Sequence, residues 1–174
     1  MELIFKSKRT KELNKKLIFQ ICKLKDYHWK FGFSNQLKWF DQNIRKDDIH
    51  NLCFMNKNLI GYTALRKGYF KYQEKEKKHF FLLFDTLILD NKYRKSKLGK
   101  IMMGFNNYIM TKEKKLSFLL CKKGLVNFYK KNQWKVLFRK NYATLYRTFN
   151  LSKNLVGMIY ATETLKKKIY INVK

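Results

Sequence analysis

The sequence predicts an α/β fold of the α+β type, with a central, mostly antiparallel sheet, one splayed parallel strand pair and helices on both faces. Three observations favour it: a pair of helical segments comes first, a hairpin of two strand-like runs follows, and two strand–helix units come next. Elements in this order pack as layers around one core. We therefore expect a single domain over residues 1–174, with its motif region at 81–134 and further strands at 135–174.

The composition indicates a globular and strongly basic protein. Hydrophobic residues make up 45% of the 174 residues, enough for a buried core and too many for a disordered chain. The net charge is +28, carried mostly by lysines spread along the whole sequence. Such a spread is typical of a solvated surface, because nucleic-acid sites tend to favour arginine. The charge still predicts attraction to anions.

The three cysteines and the apolar runs indicate a cytoplasmic protein that does not cross a membrane. Cys22, Cys53 and Cys121 are far apart and odd in number, which favours reduced, buried thiols. The longest apolar run, at 80–89, is interrupted by Asp85 and is too short to span a bilayer.

The first half of the chain predicts two helices and a hairpin. Apolar residues recur at helical spacing over 10–25, and a second helix is predicted from Ser34, as N-cap, to about residue 44. Between them lies an aromatic-rich connection. Strand-like runs at 49–55 and 59–66 flank a short polar turn and predict a hairpin. The polar segment that follows, at 67–79, is predicted to be a loop.

The second half carries two strand–helix units and a β-rich end. The predicted elements are a strand at 81–90, a helix from about 97 to 110, a strand at 116–121, a helix ending near 130, and short strands at 136–138, 143–146, 158–160 and 169–173. The turn at 93–100 is rich in Lys and Arg and leads directly into a helix. Backbone N–H groups and the helix dipole favour an anion at such a helix start.

The strand, basic turn and helix resemble the GNAT family of acetyl-coenzyme A dependent N-acyltransferases. That family carries Arg/Gln-x-x-Gly-x-Gly/Ala after its fourth strand, and residues 94–99 here read RKSKLG. Arg94 and Gly99 match the first and last anchors, whereas Lys97 stands where the first glycine is usual. The resemblance covers roughly residues 10–140 and implies a GNAT-like fold.

A second phrase strengthens the resemblance. The family has a Leu-Tyr-x-x-x-Gly-Phe pattern near the end of its next helix, and residues 128–134 read FYKKNQW. Tyr129 matches the tyrosine, and Gln133 replaces the glycine. The asparagine that the family has seven places before the tyrosine is Lys122 here.

The resemblance implies that acetyl-coenzyme A is the cosubstrate. The strand backbone pairs with the pantetheine arm in that family, and the turn holds the pyrophosphate. The residues assigned to the coenzyme are Leu87, Ile88, Leu89, Arg94, Lys95, Ser96, Lys97, Leu98, Gly99 and Lys100. The alternative is a solvated basic turn beside ordinary core residues.

Tyr129 and Asp85 are the predicted catalytic residues. In the family, the tyrosine protonates the leaving thiolate, and a phenol with a pKa near 10 can serve as that donor. A base is needed because an aliphatic amine is mostly protonated at neutral pH. Asp85 interrupts an apolar strand, and strand alternation places it on the same face as Leu83 and Leu87. The alternatives are an interfacial packing role for Tyr129, a salt bridge from Asp85 to a nearby lysine, or His50 or His79 as the base.

The acceptor is predicted to be a small primary amine that carries negative charge. His28, Trp29, Phe31 and His50 are the predicted acceptor contacts, with Phe33 and Trp39 as further candidates. Ordinary aromatic core packing is the alternative for each. Because a +28 protein attracts phosphorylated ligands and aromatic rings stack on sugars, a nucleotide-linked amino sugar is favoured.

Two other functions remain open from the sequence. A basic nucleic-acid-binding module on a degenerate acyltransferase scaffold would use the charge and the aromatic residues, although the Lys and Arg residues are scattered along the chain. A protein N-terminal acetyltransferase is the other. No metal site is predicted, because the three histidines are far apart and form no ligand motif. Whether the chain forms a homodimer is left open.

Overall fold

The computed structural model describes residues 2–72, 77–94, 96–144, 154–160 and 168–172. The helices are α1 (Lys15–Trp29), α2 (Phe33–Asn43), α3 (Leu98–Lys112) and α4 (Val126–Lys131). The strands are β1 (Leu3–Arg9), β2 (Ile49–Met55), β3 (Asn58–Tyr72), β4 (His79–Leu89), β5 (Ser117–Lys122), β6 (Lys135–Leu137), β7 (Tyr142–Thr144), β8 (Leu155–Tyr160) and β9 (Ile169–Asn172). Within the described part of the chain, no helix combines the length and apolar character needed to cross a bilayer.

The described strands form one mixed sheet, as predicted. Its order is β1-β2-β3-β4-β5-β8-β6, and β9 pairs with both β3 and β7. The β1–β2, β2–β3, β3–β9, β5–β8 and β6–β8 pairs are antiparallel. The β4–β5 pair is parallel and joins Leu82 to Ser117 and Leu83 to Phe118. A second parallel pair, β7–β9, was not predicted.

The chain divides into two compact units. The first comprises Met1–Arg66 and Phe84–Ile109, and the second comprises Lys67–Leu83 and Met110–Lys174. The assignment of the whole chain to a single domain stays a prediction.

Unit 1 has helices on both faces of its sheet. Leu52 and Ile88 pack with α1 and α2, whereas Cys53 packs with Met102 of α3. Leu52 and Cys53 are neighbours on β2, and consecutive strand residues point to opposite faces. The strand layer of unit 1 is therefore covered by α1 and α2 on one side and by α3 on the other.

The helix pair differs from the prediction at both inner ends. Helix α1 continues to Trp29 and ends at Lys30, which has a left-handed φ of 53°. Helix α2 begins two residues earlier than a Ser34 N-cap would place it, because Gly32 with φ 90° is its N-cap. The Gly32 N–H donates to Asp26 Oδ1 at 2.7 Å. The predicted aromatic connection is thus mostly helical, with a tight reversal at 30–32.

Unit 2 has its own apolar core. Its buried members come from β3, β4, β5, β6, β7, β8 and β9 and are Phe70, Phe81, Phe118, Leu137, Tyr142, Ile159, Ile169 and Ile171. Strand β3 extends to Tyr72, so the predicted loop at 67–79 was wrong over its first part. This extension pairs with β9, for example Phe70 with Ile171. The predicted strand end at 145–146 lies outside the described residues.

Candidate functional site

Strand β4 contains a β-branched residue with a left-handed backbone. Thr86 has φ 65°, a conformation that is an outlier for threonine and that marks an irregularity in the strand. As a result Asp85 and Thr86 line the same pocket, although they are consecutive. Leu87 packs instead with the core under α3. The expectation that Asp85 shares a face with Leu87 was therefore wrong, because strict alternation fails at Thr86.

The pocket lies beside α1 and α2 in unit 1 and has a volume of about 460 Å³. We call it the α1–α2 pocket. It is lined by Lys25, Trp29, Phe31, Asn35, Gln36, Trp39, Asp85 and Thr86. Its size lies in the lower part of the range for small-molecule sites, and aromatic walls with a few polar groups are typical of them.

Lys25 is a buried cation of this pocket. It is 3% exposed, and its Nζ lies 3.3 Å from the centroid of the Trp39 ring. No described residue forms an ion pair or a hydrogen bond with Nζ. Burial lowers the pKa of Lys25 to about 8, against an opposing effect of the Asp85 carboxylate. Lys25 can therefore gain or lose its proton close to neutral pH.

Asp85 is ion-paired within the pocket wall. Its Oδ2 lies 3.0 Å from Arg66 Nη1, and the two side chains are 28% and 11% exposed. The sequence offered either a catalytic base or a salt bridge to a lysine, and the partner in the structure is an arginine. Asp85 lines the pocket while it is paired, and its role as the base stays a prediction.

The structure separates the predicted acceptor residues. Trp29, Phe31 and Trp39 line the α1–α2 pocket. His28 is not among the lining residues. Its Nδ1 contacts Arg94 Nη2, and burial together with the Arg94 charge lowers its pKa.

His50 lies in the core of unit 1. It is fully buried, and its ring nitrogens lie 2.8 Å from Thr10 Oγ1 and 2.8 Å from Tyr62 Oη. The ring stacks between Phe40 and Tyr62. Burial lowers the pKa of His50 to about 4. We therefore leave His50 out of the proposed site, because both nitrogens are engaged and its surface is closed to ligands.

The basic turn before α3 is built from local hydrogen bonds. Ser96 Oγ donates to the Tyr93 carbonyl at 2.6 Å and accepts from the Leu98 N–H at 3.2 Å. Arg94 Nε donates to the Leu89 carbonyl at 3.3 Å. Lys95 lies outside the described residues. The turn therefore joins the end of β4 directly to the start of α3.

Among the predicted coenzyme residues, the side chains of Leu87, Leu89 and Leu98 pack in one apolar cluster of unit 1. Ile88 packs in the other cluster, against α1 and α2. The side chains of Leu87, Ile88 and Leu89 thus belong to the core, as both interpretations of the sequence expected, and the Leu98 side chain is buried as well. Lys97 and Lys100 are exposed at the start of α3, and Gly99 is half-buried there.

Tyr129 lies in the last turn of α4, in unit 2. It is mostly buried, its ring lies 5.2 Å from Phe128 and 6.1 Å from Trp134, and burial raises its pKa. Its carbonyl accepts the Trp134 N–H at 3.1 Å, while the Lys130 carbonyl accepts the Gln133 N–H at 3.1 Å. These two bonds form a Schellman motif, which requires a left-handed residue after the helix.

Gln133 occupies that left-handed position with φ 71°. The backbone thus keeps the conformation that a glycine would adopt most easily, although the glycine of the family phrase is absent.

Three pocket residues were not singled out by the sequence: Lys25, Asn35 and Thr86. Lys25 could have been noticed, because it lies four residues after Ile21 and seven after Ile18, on the apolar stripe of α1. Across the described residues, no cluster of three or more His, Cys, Asp or Glu side chains could hold a metal ion.

Comparison with solved structures identifies the fold. An acyl-CoA N-acyltransferase from Pseudomonas aeruginosa is 14% identical, with a TM-score of 0.66 and coverage of 92% of this chain and 100% of that one. An aminoglycoside 6'-N-acetyltransferase in complex with coenzyme A is 11% identical, with a TM-score of 0.65 and coverage of 92% and 98%.

A GNAT-family acetyltransferase from Streptococcus pneumoniae is 11% identical, with a TM-score of 0.59 and coverage of 91% and 98%. No known family profile and no curated protein sequence matches the chain. The chain therefore has the GNAT acyltransferase fold, as its motifs predicted.

Proposed function

We propose that this chain transfers an acetyl group from acetyl-coenzyme A to a primary amine of a small molecule, by direct attack in a ternary complex. The observation that carries the proposal is the order of strand β4, basic turn and helix α3 within a fold whose neighbours include acetyltransferases, one of them in complex with coenzyme A. A fold alone does not define an activity, so the residues must supply the rest of the argument.

The residues at the end of β4 and the start of α3 fit coenzyme A. The first-turn N–H groups of a helix have no acceptor within it, and the dipole favours an anion there. The exposed side chains of Arg94, Lys97 and Lys100 add positive charge beside that helix start. In this proposal the pyrophosphate binds at the turn, and the backbone of residues 87–89 contacts the pantetheine arm.

The chemistry needs a nucleophilic amine and a proton for the leaving group. The amine nitrogen attacks the thioester carbonyl carbon, the C–S bond breaks, and the coenzyme A thiolate takes up a proton. We assign proton donation to Tyr129, because a phenol carries its proton at neutral pH and can pass it to a thiolate. We assign proton removal from the amine to Asp85, a carboxylate in the wall of the α1–α2 pocket.

The acceptor side of the reaction is assigned to the α1–α2 pocket. The rings of Trp29, Phe31 and Trp39 can stack on the apolar face of a sugar, and the amides of Asn35 and Gln36 can meet hydroxyl groups. A nucleotide-linked amino sugar stays the favoured acceptor, with the sugar in the pocket. The net charge of +28 supports an anionic acceptor over a polycationic one.

The test is an assay of released coenzyme A thiol over a panel of nucleotide-linked amino sugars, N-terminal peptides, polyamines and aminoglycosides. Turnover of the amino sugars supports the acceptor assignment, whereas turnover of only spermidine or an aminoglycoside contradicts it. Tyr129→Phe should lower kcat tenfold or more, since general acid catalysis contributes about 10²–10⁴-fold. Its affinity for acetyl-coenzyme A should not change. An unchanged kcat removes Tyr129 from the acid role.

A further inference from the structure

The charge balance of the α1–α2 pocket is unusual for a site that receives an amine. Among the described residues that line it, Asp85 carries the negative charge and is already paired with Arg66 at 3.0 Å. Lys25 has no such partner in the described chain. Because Arg66 already neutralises Asp85, one positive charge at the pocket is left uncompensated whenever Lys25 is protonated.

The position of Lys25 makes this charge costly. The residue is 3% exposed, and the Trp39 ring at 3.3 Å replaces only part of the water that an ammonium group would have. A buried charge without a counterion is normally removed from a protein core or paired. A ligand with an anionic oxygen would supply the missing counterion.

A second donor side chain lines the same pocket. Gln36 is also 3% exposed, and its Nε2 has no hydrogen-bond acceptor among the described residues. Buried polar groups are nearly always satisfied, so an unsatisfied amide nitrogen at a pocket wall requires an explanation. The side chains of Lys25 on α1 and Gln36 on α2 both offer hydrogen-bond donors, and neither has an acceptor within the part of the chain that the structure describes.

We propose that the α1–α2 pocket binds the acceptor through an anionic oxygen group, a carboxylate or a phosphate, that pairs with Lys25 above the Trp39 ring. The inference rests on the proposed function and narrows its acceptor to an amine with an anion close enough to share a pocket of about 460 Å³. The aromatic rings of Trp29 and Phe31 contact the body of the acceptor. In a nucleotide-linked amino sugar, the phosphate attached to the sugar would be the group that pairs with Lys25.

The charges around Lys25 decide how binding depends on pH. Asp85 on β4 and Cys22 on α1 favour its protonated form, whereas Arg66 on β3 opposes it, and burial is the largest effect. His50 on β2 is neutral above pH 5, because its pKa is about 4. An anion in the pocket raises the pKa of Lys25, so binding takes up a proton above pH 8. Affinity for the anion should then fall about tenfold per pH unit above that value.

The experiment compares three small probes that share a phenyl ring by isothermal titration at pH 7: phenylacetate, phenyl phosphate and the neutral phenylacetamide. Wild type should bind an anionic probe at least tenfold more tightly than the amide, and this preference should shrink at pH 9.5. The anion that binds more tightly shows whether the acceptor carries a carboxylate or a phosphate. Equal binding of the acid, the phosphate and the amide would overturn the proposal.

Two matched variants locate the effect. Lys25→Met should lose the preference for the anion, whereas Lys23→Met should keep it, since Lys23 is an exposed lysine on the same helix. Retention of the preference in Lys25→Met contradicts the proposal, and a thermal melt shows whether each variant is folded. Acetyl-coenzyme A is titrated separately into the same samples. Coenzyme binding without an anion preference refutes only the inference, whereas an anion preference without coenzyme binding refutes the proposed function.

Discussion

Replacing Lys25 with methionine should stabilise the protein. Methionine keeps most of the side-chain volume and removes the buried ammonium group, which lies above the Trp39 ring and has no described counterion. A group kept for binding at the expense of stability is expected at functional sites. The change in the free energy of unfolding therefore shows whether Lys25 destabilises the folded protein.

The magnitude follows from the pKa of Lys25. Burial lowers it from 10.5 to about 8, and at about 1.4 kcal/mol per pKa unit the charged form is disfavoured by about 3 kcal/mol in the folded protein. The cation–π interaction with the Trp39 ring offsets up to about 2 kcal/mol of this cost. Lys25→Met should therefore raise the free energy of unfolding by about 1–3 kcal/mol at pH 7.

The pKa of Lys25 also determines the direction in which the free energy of unfolding changes with pH. Between pH 8 and 10.5 the unfolded chain binds a proton at Lys25 that the folded chain does not, so wild-type stability rises with pH through this window. The advantage of Lys25→Met should shrink accordingly from pH 7 to pH 10.

Urea unfolding of wild type, Lys25→Met and Lys23→Met at the two pH values measures this. The Lys23 variant is the control for loss of a surface charge. A destabilised Lys25→Met at pH 7, or an advantage that does not depend on pH, would refute the reasoning.

Other predictions concern the fold. Burial lowers the pKa of His50 from 6.5 to about 4, so the free energy of unfolding should fall by up to about 3 kcal/mol as the pH falls from 6.5 through 4. Urea unfolding at pH 7 and pH 4.5 should show a smaller fall for His50→Gln than for wild type. An equal fall in both proteins would contradict this prediction. A Cβ on Gly157 would lie 2.7 Å from the Tyr142 ring, so Gly157→Ala should destabilise by at least about 1 kcal/mol. Gly104→Ala, in open space on α3, should stabilise by about 0.5–1 kcal/mol, and the opposite order of these two variants in thermal melts would contradict the packing. Gln133→Gly should raise the melting temperature, because it relieves a left-handed φ of 71° that costs a non-glycine residue about 1 kcal/mol; a lower value contradicts the strain.

The sequence predicted the elements whose signals are local. Strand β4, the basic turn and α3 were found because an apolar run, a charged turn and a helical apolar pattern follow one another over 81–112. The hairpin of β2 and β3 was found for the same reason. Each of these elements is recognisable within a short window of sequence.

Elements stabilised by distant partners were missed. Strand β1 has no fully buried residue and carries Lys6 and Lys8 in its middle. It forms because it pairs along the whole of β2, for example between Lys6 and Leu52, which are 46 residues apart. The end of β3 reads as a polar loop and is a strand because it pairs with β9. Tertiary pairing overrides weak local preference in both cases.

The site was predicted in part. Asp85 was recognised because a carboxylate in an apolar strand is conspicuous, but the left-handed backbone of Thr86 has no signature in the residue itself. His50 was chosen as a candidate contact because histidine is chemically versatile, and only the structure shows both of its nitrogens engaged in the core. The sequence feature that would have indicated the pocket is a lysine on the apolar face of a helix, and Lys25 is that lysine.

The most direct test of the central claim is isothermal titration of acetyl-coenzyme A into the wild-type protein at low and moderate salt. The account predicts saturable binding of one equivalent, weakened by salt because the pyrophosphate binds beside Arg94, Lys97 and Lys100. Single-stranded oligonucleotide, titrated in parallel, should bind more weakly than acetyl-coenzyme A. No binding of acetyl-coenzyme A at millimolar concentration, together with tight and steeply salt-dependent binding of the oligonucleotide, would contradict the account and favour a nucleic-acid-binding module.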